Sequence, residues 1–157
     1  MTSDPDNQST AENPVGRFMV AAGAVIELNS TGKILLVRRS PDLDWHPGEW
    51  ETCYGRLAQF EDAETGLKRE VKEELGITDL HIIRVLRVWH LFRGSESADN
   101  ECIGITYFCN TLNPDITLSA EHDTYLWIDP DAALGKINIP GIREDISRYI
   151  NIKSGKT

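Results

Sequence analysis

Three glutamates stand at i, i+3 and i+4 in the segment GLKREVKEELGI: Glu70, Glu73 and Glu74. On a helix that spacing puts all three carboxylates on one face within about one turn. Like charges so placed weaken a helix, and near its C-terminal end the macrodipole disfavours anions as well. Two penalties at one place call for a compensating cation. Lys68, Arg69 and Lys72 supply one kind, which would make a solvated acidic face. A hard divalent ion is the other: Mg2+ takes oxygen ligands from a few carboxylates and leaves positions for water and substrate phosphate.

The elements that must hold these residues follow from periodicity. Ala63, Leu67, Val71 and Leu75 recur every four residues, so 62–75 reads as a helix, with Gly76 as its left-handed stop. Residues 18–28 and 33–39 read as a hairpin, and the Pro/Gly-punctuated 40–49 as a loop. A short strand follows near Trp50–Tyr54, then strands at 81–93, at 101–112 and near Tyr125–Ile128. Short helices at about 130–135 and 141–150 close the chain. Strands on both sides of a central helix predict an α/β fold, with a mixed β-sheet packed between helices.

The setting of the cluster narrows the choice of cation. The run Gly55–Ile77, GRLAQFEDAETGLKREVKEELGI, resembles the Nudix box, G-x5-E-x7-R-E-U-x-E-E-x-G-U with U aliphatic, at every fixed position. The resemblance implies an α/β/α sandwich over about 18–150. It also implies a Mg2+- or Mn2+-dependent hydrolase that cleaves a diphosphate linkage by water attack at phosphorus. Glu70, Glu73 and Glu74 would then be metal ligands, together with the backbone carbonyl of Tyr54 and, from a later loop, Glu121. Glu70 is the candidate base and Arg69 orients Glu73. Gly55, Glu61 and Gly76 are structural, with Glu61 expected to pair with Arg69.

For the substrate, Arg38 and Arg39 are candidates to grip a phosphate, as guanidinium groups bind it bidentately. Trp45, Trp50 and Trp89 are candidates to stack on a base, Trp50 foremost, whereas Trp127 reads as core. One departure opens an alternative. Residues 45–50, WHPGEW, are similar to the approach to the active-site cysteine of isopentenyl-diphosphate isomerases, yet Tyr54 stands where that cysteine belongs and Cys53 is one residue off. A catalytically silent nucleotide sensor on the same scaffold is a third reading.

The 157 residues carry 25 acidic against 16 basic side chains, a net charge of −9, which excludes a broad basic nucleic-acid surface. Residues 1–17 read as an acidic tail without signal-peptide character, 18–150 as one domain, and 151–157 as a C-terminal tail. No apolar run is long enough for a membrane span. Three cysteines without C-x-x-C spacing suggest reduced thiols in a cytoplasmic protein. A small nucleotide or other diphosphate is the expected partner, and a homodimer is an implication of the family alone.

Overall fold

The computed structural model describes residues 16–156. The expected tail at 1–17 therefore lies, up to residue 15, outside the described residues. β1 (Met19–Leu28) is the centre of a seven-stranded mixed sheet. Its run AAGAVI is buried on both faces, as an inner strand requires. On one side it runs parallel to β6 (Glu101–Thr111) for ten residues, from Met19 opposite Cys102 to Leu28 opposite Thr111. β6 in turn pairs antiparallel with the edge strand β5 (His81–Phe92).

On its other side β1 meets two partners in succession. β2 (Ile34–Arg39) pairs with it only where Glu27 faces Ile34, then diverges to take β3 (Trp50–Glu51) and β7 (His122–Ile128). The edge of β1 that β2 leaves is filled by β4 (Cys53–Arg56). The single strand expected near Trp50–Tyr54 is thus two, broken at Thr52, where the chain leaves β2 for β1. The strand expected at Tyr125–Ile128 begins earlier, at His122.

One helix covers one face of the sheet. In α1 (Ala63–Leu75) Asp62 caps the N-terminus by accepting from the Thr65 N–H at 3.0 Å, and Gly76 ends the helix at φ 71°. Leu67, Val71 and Leu75 are fully buried against Ala22, Ala24 and Ile26. The other face carries α2 (Pro130–Leu134) and α3 (Pro140–Lys153). There Ile142, Ile146 and Tyr149 pack on Val25, Leu36 and Phe108. The architecture is the α/β/α sandwich. The last helix, expected to end near 150, runs to Lys153, whose ammonium reaches the buried Glu27 carboxylate at 2.9 Å. That ion pair draws the first residues of the expected C-terminal tail onto the sheet. Among the described residues no helix is long and apolar enough to cross a membrane.

Candidate active site

Helix α1 presents its glutamates as the spacing predicts, but in unequal settings. Glu74 is buried, and its Oε2 accepts from the Cys53 thiol at 3.3 Å. Burial first, then the charges of Glu121, Glu70 and Glu51, push its pKa up to about 8. Burial and Glu74 also hold the Cys53 thiol well above its ordinary range, so the sulfur is a protonated donor. Glu70 lies against Gly55, where a Cβ would overlap its carboxyl group. Glycine there lets strand β4 press its backbone onto the acid cluster. Glu73 is the most exposed of the three.

Arg69 ties the cluster together. Its Nε and Nη2 donate to the two oxygens of Glu61 at 2.8 and 2.9 Å, and Nη1 donates to Glu70 at 2.8 Å and Glu73 at 3.2 Å. Nη2 also reaches the Arg56 carbonyl at 3.1 Å, which fastens the strand-to-helix loop. Arg69 first, and then the Ala58 N–H, hold the Glu61 carboxyl down at about 2.

A cavity of about 760 Å³ opens beside the cluster. Glu70, Glu74, Glu121 and Glu51 border it, as do Tyr54 and Gly55 of β4. Glu121 is held at the cavity by its carbonyl, which accepts from the Ser40 N–H at 2.8 Å. Of the two candidate arginines only Arg39 reaches the wall, where it donates to Glu51 at 3.0 Å and to the Trp45 carbonyl at 2.6 Å. Arg38 does not: neighbouring strand residues point to opposite faces, and its guanidinium is engaged by Asp123 at 2.8 and 2.9 Å. Trp50 is not on the wall either. Its ring packs with the α2–α3 side of the core, with Arg38 and Lys136 over it at 5.9 and 5.6 Å. Trp45 and Trp89 do border the cavity.

Two groups in and behind this wall escape sequence reasoning. Glu51 is buried and accepts from Arg39 and from His122 Nε2 at 2.9 Å, and no spacing in the chain announces it. Asp145 has no exposure at all, yet it accepts from Arg87, Thr106 and Tyr54. Its signal was present: it lies three residues after Ile142 and four before Tyr149, on the apolar stripe of α3.

The donor set suits a hard cation. A buried carboxyl group near three other acids, accepting from the Cys53 thiol, is a set of oxygen ligands whose full ionisation calls for a cation. Among the described residues, however, no three acidic, histidine or cysteine side chains converge on one point. Glu70 and Glu73 turn instead to Arg69, the cation at hand.

Comparison with known proteins agrees with this geometry. The family model described as NUDIX domain matches residues 17–149. An octanoyltransferase of Myxococcus xanthus is 31% identical over 118 residues, 74% of this chain but only 32% of that protein. The nucleoside triphosphatase NudI of Escherichia fergusonii is 28% identical over 139 residues, 83% of this chain and 88% of the relative. Among solved structures, the MutT protein from Methanosarcina mazei Go1 superposes with a TM-score of 0.72 at 25% identity, covering 90% of this chain and 98% of that one. The chain belongs to the Nudix family.

Proposed function

We propose that this protein hydrolyses a phosphoric anhydride in a nucleoside triphosphate or a nucleoside diphosphate derivative, with Mg2+ or Mn2+ held by Glu70, Glu73 and Glu74. The Tyr54 carbonyl and Glu121 complete the oxygen set. The observation that carries the reading is Glu74: a carboxyl group buried among acids at the wall of a nucleotide-sized cavity, its pKa pushed up to about 8 where no cation is paired with it among the described residues. Bound metal would neutralise the non-bridging oxygens and make water more acidic. Glu70 takes the proton of the attacking water. Arg69, anchored on Glu61, fixes the directions of Glu70 and Glu73. Arg39, on the same wall as Glu51, faces the substrate phosphates. The NudI relative, a nucleoside triphosphatase by name, supports the nucleotide assignment.

The isomerase alternative needs an accessible, ionisable thiol. The Cys53 thiol is buried, faces Glu74 and is held protonated. A panel of nucleoside triphosphates, nucleotide sugars, dinucleotides and isopentenyl diphosphate, assayed with Mg2+ or Mn2+ for phosphate and isomer products, tests the reading. Cleavage that falls at least about 100-fold in Glu74→Gln is expected. Absence of any cleavage with either metal, or full activity in Glu73→Gln and Glu74→Gln, would overturn it. Nucleotide binding without turnover would point to the sensor, and isomer formation lost in Cys53→Ala to the isomerase.

A further inference from the structure

Part of the cavity wall is built from side chains to which the hydrolytic chemistry assigns no role. Tyr54, Arg87 and Trp89 line it, and all three belong to a hydrogen-bonded network behind the wall. Trp89 Nε1 donates to Thr106 Oγ1 at 3.0 Å. Thr106, itself fully buried, donates to Asp145 Oδ2 at 3.1 Å, and the Tyr54 hydroxyl donates to the same oxygen. Arg87 donates through Nε to Asp145 Oδ1 at 2.7 Å and through Nη2 to the Gly141 carbonyl at 2.9 Å. A carboxylate with no exposure is costly unless every lone pair is used. Here its partners convert that cost into fixed positions for three cavity side chains.

The backbone beneath is shaped to the same end. Gly104 of β6 lies opposite Trp89 of β5, and a Cβ built on Gly104 would come within 2.0 Å of the six-membered ring of Trp89. Gly23 of β1 stands in the same relation to the Tyr54 ring. Both rings therefore sit on sheet positions stripped of side chains, meet each other edge to face at 6.0 Å with an interplanar angle of 70°, and border the cavity. The remaining candidate tryptophans are differently placed. Trp45 has the Arg93 guanidinium over it at 5.3 Å and the edge of His46 at 4.6 Å. Trp50 is off the wall, with two cations over its ring.

We infer that Trp89 is the stacking platform for the planar base of the substrate, held rigid by Gly104, Thr106 and Asp145. A ring whose rotamer is already fixed loses no conformational freedom on stacking, so the stacking energy is retained as affinity. The platform selects substrates carrying an aromatic heterocycle over aliphatic or purely inorganic diphosphates. It rests on the hydrolase reading only for what lies elsewhere in the cavity.

The test needs neither metal nor turnover. Tryptophan fluorescence of the full chain is titrated with AMP, GMP, CMP and UMP, and with ribose 5-phosphate as the baseless control. At least one nucleotide is expected to quench a component that Trp89→Leu lacks. Its Kd should rise about tenfold in Trp89→Leu, consistent with base–aromatic stacking, and rise comparably in Gly104→Ala. Trp89→Phe should stay within a few-fold of the native value, and ribose 5-phosphate should bind equally weakly to all. Thermal melting of each variant establishes that it is folded, and Trp89→Phe and Gly104→Ala keep the test open should Trp89→Leu not fold. Equal Kd values across the folded variants would overturn the assignment. So would ribose 5-phosphate binding as tightly as the nucleotides, no nucleotide binding, or quenching that survives in Trp89→Leu and vanishes in Trp45→Phe. Failure of every diphosphate to be cleaved would sink the hydrolase reading and leave this binding result standing.

Discussion

Removing the Asp145 carboxylate is expected to be among the most destabilising single changes in the molecule. In Asp145→Ala, Arg87 keeps its bond to the Gly141 carbonyl but loses its paired carboxylate, while the hydroxyls of Tyr54 and Thr106 lose a shared acceptor. Breaking a buried pair from one side costs about 3–5 kcal/mol, because the remaining charge stays in a poor solvent. Arg87 is 19% exposed at the cavity and regains some hydration, which places the expected loss near the lower bound, at about 3 kcal/mol. For a chain of this length that corresponds to a fall in Tm of roughly 6–12 °C. The double variant Asp145→Ala/Arg87→Met supplies the discriminating comparison. An ion pair replaced on both sides by apolar groups is often neutral, so the double variant should recover at least about 1 kcal/mol of the single loss. Urea unfolding, followed by far-UV circular dichroism with the slope m checked for constancy, measures all three proteins. A single loss under about 1 kcal/mol, or a double variant no more stable than the single, would refute the claim that charge pairing makes this site costly to break.

Two pH effects follow from the acid cluster, with opposite signs. Glu74 has its folded pKa raised to about 8, so the folded state holds a proton that the unfolded state releases above its ordinary range near 4.5. In chelator-treated protein, stability should therefore fall as pH rises from about 4.5 to 8, Glu74→Gln should flatten that limb, and added Mg2+ should restore more stability at pH 8 than at pH 5; denaturation at the two pH values checks all three. Glu61 is held at about 2, so its pairing with Arg69 contributes fully above about 4.5 and is lost as pH falls through 2. Glu61→Gln should reduce the slope of stability against pH on that acid limb, as read from acid-unfolding curves of the two proteins.

What the chain discloses in one dimension depends on how far its partners lie apart. The acid cluster is legible because Glu70, Glu73 and Glu74 meet through a single helical turn, and the periodicity of Leu67, Val71 and Leu75 fixes which side of that helix is buried. Arg38 and Arg39 show the limit: alternation separates their faces, but the choice of face rests on β7, whose pairing with β2 shifts register between those two residues. Thr52 is hidden for a related reason. Only the divergence of β2 from β1 makes the chain change partner there, and its buried hydroxyl finds no hydrogen-bond partner among the described residues. The network at Asp145 joins residues 39 to 91 positions apart, beyond the reach of any local pattern. A carboxylate on the apolar stripe of α3 was its trace. On an amphipathic helix such a residue signals a buried polar partner elsewhere in the fold.

The net charge of −9 has a bearing on how a polyphosphate enters. Residues 61–74 carry six acids against three bases, and the cavity they adjoin is bordered by four glutamates. Alone, that potential would repel the substrate at the point where it must react. Among the arginines of the wall, Arg39 is paired with Glu51 and Arg87 with Asp145, whereas Arg56 and Arg93 border the cavity as further positive charges. At the acid end, a divalent cation held as proposed would add to their attraction for an anion. The aromatic end needs no such ion: Trp89 is set in place by neutral and internally paired groups, and stacking is insensitive to the sign of the surrounding field. The cavity thus divides recognition in two. On the proposed reading one end takes the base without need of a metal, and the other takes the phosphates with the ion that the glutamates would hold.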